Sequence, residues 1–234
     1  MKIDLRNLSH SYDVKVLNDI NFNLKGYKSV AIIGISGSGK STLLRLLSGL
    51  ETPTKGKVFI NDSDVLLSSY KKSIGFIFQN HNLFPHLSLL ENITIILEKT
   101  RGYKKDDAIQ IAKKYLDLLK LSDQYNKSPR NVSGGQAQRA SIARALSLNP
   151  EIIFMDEPTA SLDPILTYEV LSAVEDLKVL GKNFVFVTHV LSFVRDFADY
   201  IIFMEKGKIL EHGKPDILDN PKTFSLKEFM KKVK

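Results

Sequence analysis

Short apolar runs alternate with longer amphipathic segments along most of the chain. Lys28–Ile33 is an apolar run of strand length, and the leucines of Ser41–Gly49 recur at helical spacing. Apolar runs of similar length return at Glu151–Met155, Asn183–Thr188 and Tyr200–Met204. Because strands that alternate with helices form parallel sheets with both faces covered, the pattern predicts an α/β fold with a mostly parallel sheet.

Two parts of the chain depart from this alternation. Residues 3–60 contain short β-like runs and turn signals, and Lys55–Asn61 has the pattern of a hairpin arm, so we predict an antiparallel β arm. Between approximately residues 86 and 149 the pattern becomes helical. Gln136–Leu148 is rich in alanine, and Asp106–Lys120 places apolar side chains on one face: Ile109, Ala112, Leu116 and Leu119. This stretch is predicted to be a helical lobe inserted in an α/β core.

Composition narrows the class of protein. The 234 residues are 43% hydrophobic and 25% charged, which is typical of a globular protein rather than a disordered or collagen-like chain. Cysteine is absent, which excludes disulfides, cysteine-bound zinc and thiol catalysis. No apolar run approaches the roughly 20 residues of a membrane-spanning helix, and the first residues contain no apolar signal segment. We therefore expect a soluble protein.

The net charge is basic without indicating a nucleic-acid site. The chain has 33 Lys and Arg against 26 Asp and Glu, which gives 33 − 26 = +7. Its lysines are scattered, and aromatic residues do not interleave with them as a base-stacking surface requires. The charge is therefore interpreted as a solvated, lysine-rich surface, and no nucleic-acid partner is predicted.

Gly34–Ser41, with the sequence GISGSGKS, follows the first core strand and precedes a helix. Glycines allow backbone N–H groups to surround phosphate oxygens, and the helix presents its positive end to them. Lys40 would neutralise the β- and γ-phosphates, and the Ser41 hydroxyl would bind Mg²⁺. The alternative is a Gly/Ser-rich turn, but the strand before the loop and the helix after it favour a phosphate site.

Two adjacent carboxylates end the apolar strand at Ile152–Glu157. Asp156 would lie beside the glycine loop and hold Mg²⁺, and Glu157 would lie at the carboxyl edge of the sheet, where α/β proteins bind ligands. A carboxylate there can polarise a water molecule for attack on the γ-phosphate. A charged turn after a core strand is the alternative; the phosphate loop favours the catalytic interpretation.

A second glycine loop, Ser133–Gln136, precedes the alanine-rich helix. It can be a second anion site at a helix N-terminus, or a plain helix cap, since Ser and Gly both favour that position. One ATP molecule cannot easily occupy two such loops of one chain. The anion interpretation therefore requires a second copy of the protein.

Taken together, these motifs resemble the ATP-binding subunits of ABC transporters over essentially the whole chain. In that family's terms Gly34–Thr42 is the Walker A loop, Ile152–Glu157 the Walker B strand and Asn131–Gln136 the signature loop, with Val132 in place of the usual Leu. Other matches are the Q-loop residue Gln79, the D-loop Ser161-Leu162-Asp163, the switch histidine His189 and the adenine-stacking Tyr12. The resemblance implies a P-loop NTPase fold and a single ATP-binding domain over residues 1–234.

The resemblance also implies the site residues. The catalytic residues would be Glu157, His189 and Gln79, and the Mg²⁺ ligands would be Ser41, Gln79 and Asp156. The nucleotide contacts would be Tyr12, Gly34, Ser36, Gly37, Ser38, Gly39, Lys40, Ser41, Thr42, Ser133, Gly134, Gly135, Gln136 and Asp163.

For function, the resemblance implies an ATPase that hydrolyses ATP with Mg²⁺ in a head-to-tail dimer. Residues 82–93 and 202–213 resemble importers of polar amino acids, although Val190 replaces the acidic residue that commonly follows the switch histidine. The implied partners are a second copy, transmembrane permease subunits and, indirectly, an extracytoplasmic solute-binding protein. The implied location is the cytoplasmic face of the membrane. The alternative is the ATPase of an exporter, of a lipoprotein-release complex or of a cell-division complex.

Two further classes are disfavoured. ABC-type ATPases that act on DNA or the ribosome usually carry long coiled coils or two cassettes, for which 234 residues leave no room. A P-loop kinase needs an acceptor site and has no use for Ser133–Gln136.

Overall fold

Strands and helices alternate along most of the chain in the computed structural model, which describes residues 1–160, 162–179 and 181–233. In chain order the strands and α-helices are β1 (Lys2–Ser11), β2 (Lys15–Lys25), β3 (Ser29–Gly34), α1 (Lys40–Leu47), β4 (Lys55–Ile60), β5 (Ser63–Asp64), α2 (Ser68–Ser73), β6 (Ile74–Ile77), α3 (Leu89–Arg101), α4 (Lys105–Leu118), α5 (Gly134–Ser147), β7 (Ile152–Asp156), α6 (Pro164–Val179), β8 (Asn183–Val187), α7 (Leu191–Phe197), β9 (Tyr200–Glu205), β10 (Lys208–Gly213) and α8 (Phe224–Lys232). Contacts among the described residues divide the chain into two compact units.

The first unit comprises Met1–Ile74, Phe154–Glu157 and Asn183–Lys234. It contains a four-stranded antiparallel sheet in the order β2-β1-β4-β5, in which β1 pairs with both β2 and β4. Apolar side chains alternate with exposed ones along β2, as expected for a sheet with one buried face. The predicted antiparallel arm is therefore confirmed.

A second sheet carries the phosphate loop. Its order in this unit is β10-β9-β3-β8-β7, and β3 pairs in parallel with β8 and β9, while β10 pairs antiparallel with β9. Every residue of β3 is buried, which is the pattern of a central strand covered on both faces. The predicted α/β fold with a mostly parallel sheet is confirmed, and β3 delivers the glycine loop at its carboxyl end.

The second unit comprises Gly75–Ile153 and Pro158–Lys182 and is largely helical. The helices of the predicted lobe, α3, α4 and α5, lie within it. The buried face of α4 consists of Ala108, Ala112 and Leu116, followed by Leu119 just beyond the helix, whereas Ile109 is only half-buried. The prediction that Ile109 belongs to this face was wrong: Ala108, one position earlier, completes an i, i+4, i+8 stripe.

Helix α3 shows how local sequence sets a helix boundary. Ser88 and Glu91 form a capping box at its start, and Gly102 ends it in the left-handed conformation. Among the helices of the described residues, none has the length and apolar character needed to cross a membrane.

Candidate nucleotide-binding site

The glycine loop turns sharply between β3 and α1. Gly34 has φ 149°, and a Cβ there would lie 2.2 Å from the carbonyl oxygen of Met204; Gly39 has φ 97°, and its Cβ would lie 2.7 Å from a methyl group of Leu17. Both ends of the loop therefore require glycine. Gly37, at φ 75°, faces open space, so its side is free for a ligand to approach. Ser36 and Gly37 are exposed, whereas Ser38 and Thr42 are buried.

Lys40 begins α1 and folds its side chain back over the loop. Its Nζ donates to the carbonyl oxygens of Gly34 and Ile35, each at 3.0 Å. Burial lowers the pKa of Lys40, and the carboxylates of Glu157 and Asp156 oppose that shift. The buried Lys40 ammonium thus bonds to two loop carbonyls, and the oxygens of a bound phosphate could replace those carbonyls as acceptors.

Ser41 and Asp156 form a pair of oxygen ligands. Asp156 ends β7, is 4% exposed, and accepts a hydrogen bond from the Ser41 Oγ at 2.7 Å. The guanidinium of Arg45 lies 3.6 Å from the other carboxylate oxygen. Among the described residues no three His, Asp or Glu side chains converge as a metal cluster. A hydroxyl beside a carboxylate is nevertheless the hard-oxygen donor set that fits Mg²⁺, which completes its coordination with water and phosphate.

Glu157 and His189 are in direct contact. Nε2 of His189 lies 2.9 Å from Oε1 of Glu157, and the Glu157 N–H donates to the carbonyl of Val187, the last residue of β8, at 2.9 Å. Glu157 has φ 45°, a strained conformation for a non-glycine residue. The bond to β8 fixes the backbone at this strained position and directs the carboxylate toward the histidine.

The segment around His189 also shows what Val190 changes. Val190 stands before α7 and provides no side-chain cap, but its N–H donates to the Thr188 Oγ1 at 3.1 Å. The Thr188 hydroxyl thus accepts the backbone N–H of the turn that contains His189.

Tyr12 lies beyond the hydrogen-bonded end of β1 and is half exposed. Its hydroxyl donates to the Glu51 Oε2 at 2.5 Å, and its ring contacts His10 edge to face at 4.8 Å between centroids. Burial and the bond to Glu51 raise the Tyr12 pKa. Arg45 lies 3.5 Å from Glu51. The sequence analysis missed Glu51 and Arg45, because no motif marks them, although Arg45 faces the site from the same helix as Lys40 and Ser41.

Ser133, Gln136 and Asp163, three of the predicted site residues of the second unit, cap its helices. The Ser133 Oγ accepts from the Gln136 N–H at 3.2 Å, and the Ser133 N–H donates to the Gln136 Oε1 at 2.9 Å, which forms a capping box on α5. A Cβ at Gly135 would lie 2.8 Å from Leu166 on α6, so the loop and α6 pack closely. Gly134 is exposed. The plain-cap alternative describes this geometry, and the exposed Ser133 and Gly134 remain open to a ligand.

Asp163 and Gln79 complete this set. The Asp163 Oδ1 accepts from the N–H groups of Ile165 and Leu166, both at 2.9 Å, and so caps α6. Gln79 is exposed in the loop that follows β6. Ser161, the first residue of the predicted D-loop, lies outside the described residues.

A glycine loop, a buried lysine, a serine–aspartate pair and a glutamate–histidine pair define a P-loop nucleoside triphosphatase. The sequence pattern of the ABC transporter family matches residues 17–160. The chain belongs to the ABC transporter family, and it is an ABC-type ATPase.

Relatives and solved structures agree with this assignment. The chain is 40% identical over 227 residues to the glutamine transport ATP-binding protein GlnQ of Geobacillus stearothermophilus, with 94% of each chain covered. It is 40% identical over 228 residues to the glutamate transport ATP-binding protein GluA of Corynebacterium efficiens, again with 94% of each covered. The dimeric post-hydrolysis structure of the ATP-binding cassette MJ0796, bound to ADP and Pi, superposes with a TM-score of 0.81 at 34% identity, covering 91% of this chain and 98% of that one.

Proposed function

We propose that this ATPase powers the import of polar amino acids through transmembrane permease subunits. The observation that carries its ATPase chemistry is the contact network of the first unit, which joins Ser41 to Asp156 and Glu157 to His189 beside the buried Lys40. Relatives that match over nearly the full chain are named as glutamine and glutamate transport ATP-binding proteins, which supports the substrate class.

In the proposed site, phosphate binding belongs to the glycine loop and Lys40. Backbone N–H groups of Gly34–Ser41 and the N-terminus of α1 would contact the phosphates, and the lysine would exchange its two carbonyl partners for phosphate oxygens. Ser41 and Asp156 would hold Mg²⁺, which offsets charge on the phosphates when bound. Gln79 keeps its proposed role in catalysis. The flat face of Tyr12 would stack on the adenine.

The reaction itself is assigned to Glu157 and His189. The Glu157 carboxylate accepts a proton as a water oxygen bonds to the γ-phosphorus, and the bond from that phosphorus to the β–γ bridging oxygen breaks, leaving ADP and phosphate. His189 would hydrogen-bond the γ-phosphate. Its 2.9 Å contact with Glu157 supports a role of both groups at the same water molecule.

Two copies are proposed to form the working unit, arranged head to tail. Ser133, Gly135 and Gln136 of one copy would close on the γ-phosphate held by Lys40 of the other, and Asp163 would lie at the same interface. The dimeric ADP- and phosphate-bound structure of MJ0796 supports the pairing of two copies. The permease subunits would place the ATPase at the cytoplasmic face of the membrane and link it indirectly to a solute-binding protein.

An uptake assay tests this function. In a host strain that lacks the protein, uptake of radiolabelled glutamine, glutamate, arginine and cystine is compared before and after complementation with wild type or Glu157→Gln. We expect uptake of at least one of these amino acids to return with wild type and not with Glu157→Gln. Unchanged uptake, together with co-purification of export, lipoprotein-release or cell-division subunits from solubilised membranes, would show the alternative function instead.

A further inference from the structure

The loop that carries Gln79 is held by side chains of α5. We define the Gln79 loop as Phe78–Asn82. Gln138 donates from Nε2 to the Phe78 carbonyl at 3.4 Å, and its Oε1 lies 2.5 Å from Nδ1 of His81. Further along the helix, Arg144 donates to the carbonyls of Asn82 at 2.7 Å and His81 at 3.3 Å.

These contacts are mutually consistent. Gln138 is fully buried, and because its Nε2 donates to Phe78, its Oε1 must accept from a His81 ring that carries hydrogen on Nδ1. Arg144 is half-buried, and burial lowers its pKa. Loss of either side chain would remove the donors that hold these loop carbonyls, so the contacts restrain the loop backbone.

The loop is held on both sides of Gln79, while the Gln79 side chain itself stays exposed. The restraint therefore acts on the backbone that directs the glutamine and not on its amide. The same helix begins at the Ser133–Gln136 loop, about 16 Å from Arg144 along the helix axis. A shift of α5 would thus move the Ser133–Gln136 loop and the Gln79 loop together.

We propose that Gln138 and Arg144 are positioning residues for Gln79, and that α5 couples the position of the Gln79 loop to that of the Ser133–Gln136 loop. The inference rests on the proposed function, in which Gln79 acts at the bound nucleotide and Ser133–Gln136 meet the second copy. It adds two residues that would act through the backbone of the Gln79 loop.

The chain supplies a matched control on the same helix. The Arg139 side chain is 11% exposed and pairs with Glu169 on α6 at 3.3 Å. Substituting it removes a largely buried arginine and an ion pair, but none of the bonds to the Gln79 loop. Arg139→Met therefore shows how the loss of a packed arginine on α5 affects the protein when the bonds to the Gln79 loop are intact.

The first experiment measures hydrogen–deuterium exchange in Gln138→Leu, Arg144→Lys and Arg139→Met. Gln138→Leu removes both of its bonds at similar volume, and Arg144→Lys keeps the charge but cannot serve two carbonyls with one planar group. We expect exchange in peptides covering Phe78–Asn82 to rise about tenfold in the first two variants and to stay at the wild-type rate in Arg139→Met. Wild-type exchange there in Arg144→Lys would overturn the proposal, even if Gln138→Leu fails to fold.

The second experiment is a double-mutant cycle on ATP turnover with Gln79→Ala. If Gln138 and Arg144 act through Gln79, adding Gln138→Leu or Arg144→Lys to Gln79→Ala should change turnover by no more than about twofold. In the Arg139→Met, Gln79→Ala double variant, the fold-losses of turnover of the two single variants should instead multiply. Independent, multiplying effects of Gln138→Leu or Arg144→Lys would overturn the positioning role. A wild-type protein that hydrolyses no ATP would contradict the proposed function, and the exchange experiment would still decide the inference.

Discussion

In the first unit the proposed catalytic side chains contact one another, whereas in the second unit the site residues cap helices. Ser41 bonds to Asp156 at 2.7 Å and Glu157 lies 2.9 Å from His189. Ser133 and Asp163, in contrast, accept hydrogen bonds from the first turns of α5 and α6. In one region side chains from distant parts of the chain contact one another, and in the other the side chains cap the helices that follow them.

This difference indicates how each region can affect ATP. Side chains of the first unit already hold buried charges in place, so substitutions there should change ATP binding or chemistry directly. In the exposed Ser133–Gln136 loop of the second unit, the polar side chains already bond to backbone N–H groups at the start of α5. Substitutions in that loop should therefore affect ATP hydrolysis through association with a second copy, in addition to the helix capping that they remove.

The largest expected effect separates chemistry from binding within the first unit. Glu157→Gln keeps the size of the side chain but cannot accept a proton, so turnover should fall about 1,000-fold while ATP affinity stays within about twofold. Size-exclusion chromatography with ATP and Mg²⁺ should show a stable dimer of this variant. Full turnover by a monomer would contradict both the base role and the shared site.

Lys40→Ala should break binding rather than chemistry. Removing the ammonium leaves phosphate charge uncompensated in the loop, so ATP affinity should fall about 100-fold. Equilibrium binding of a fluorescent ATP analogue measures the loss, with Lys55→Ala, an exposed lysine on β4 of the same unit, as the charge-matched control. If Lys40→Ala bound the ATP analogue with unchanged affinity, Gly34–Ser41 would not be a phosphate-binding loop.

Local sequence carried enough information to predict the glycine loop and its flanking elements. The strand, the loop and α1 are continuous in the chain, and glycine is required where β3 ends and where α1 begins. Helix starts were equally accessible, because Ser133 and Gln136 form a capping box within four residues. The conformation of the glycine loop and the start of α5 are thus determined by residues close together in the chain.

Contacts between distant residues were not accessible in the same way. Ser41 and Asp156 are 115 positions apart, and the sequence predicted a shared Mg²⁺ role for them but not their direct hydrogen bond. The contact between Glu157 and His189, the strained φ of Glu157 and the Tyr12–Glu51 bond depend on how β7, β8 and the arm pack. Ala108 and not Ile109 lies on the buried face of α4, because the packing of the helix decides which of two adjacent rows of apolar side chains is buried.

A pair of smaller effects tests the shared site between copies. His189→Ala should lower turnover about 30-fold and leave ADP affinity unchanged, since ADP lacks the γ-phosphate that the histidine contacts. Ser133→Arg should lower turnover similarly by blocking closure, with ATP affinity of the separate chain retained. Normal hydrolysis by Ser133→Arg would refute the head-to-tail arrangement.

Mixing these two variants sharpens that test. In a heterodimer with one chain of each kind, one site carries both substitutions and the other pairs a wild-type His189 with a wild-type Ser133. If a single intact site can hydrolyse ATP, turnover should rise on mixing above the mean of the separate variants. A mixture of each variant with itself at the same total concentration is the control.

The smallest expected effect concerns the base end of the site. Tyr12→Phe keeps the flat ring and loses only the hydroxyl bond to Glu51, so nucleotide affinity should fall about threefold; Tyr12→Ala removes the stacking face and should cost about tenfold or more. Because ATP and ADP share the base, both variants should weaken them equally and leave the ratio of the two dissociation constants at its wild-type value. Isothermal titration with each nucleotide measures that ratio. In Lys40→Ala the ratio should shift, since ATP carries the additional phosphate that the lysine would contact, and a shifted ratio in Tyr12→Ala would place that ring at the phosphates instead.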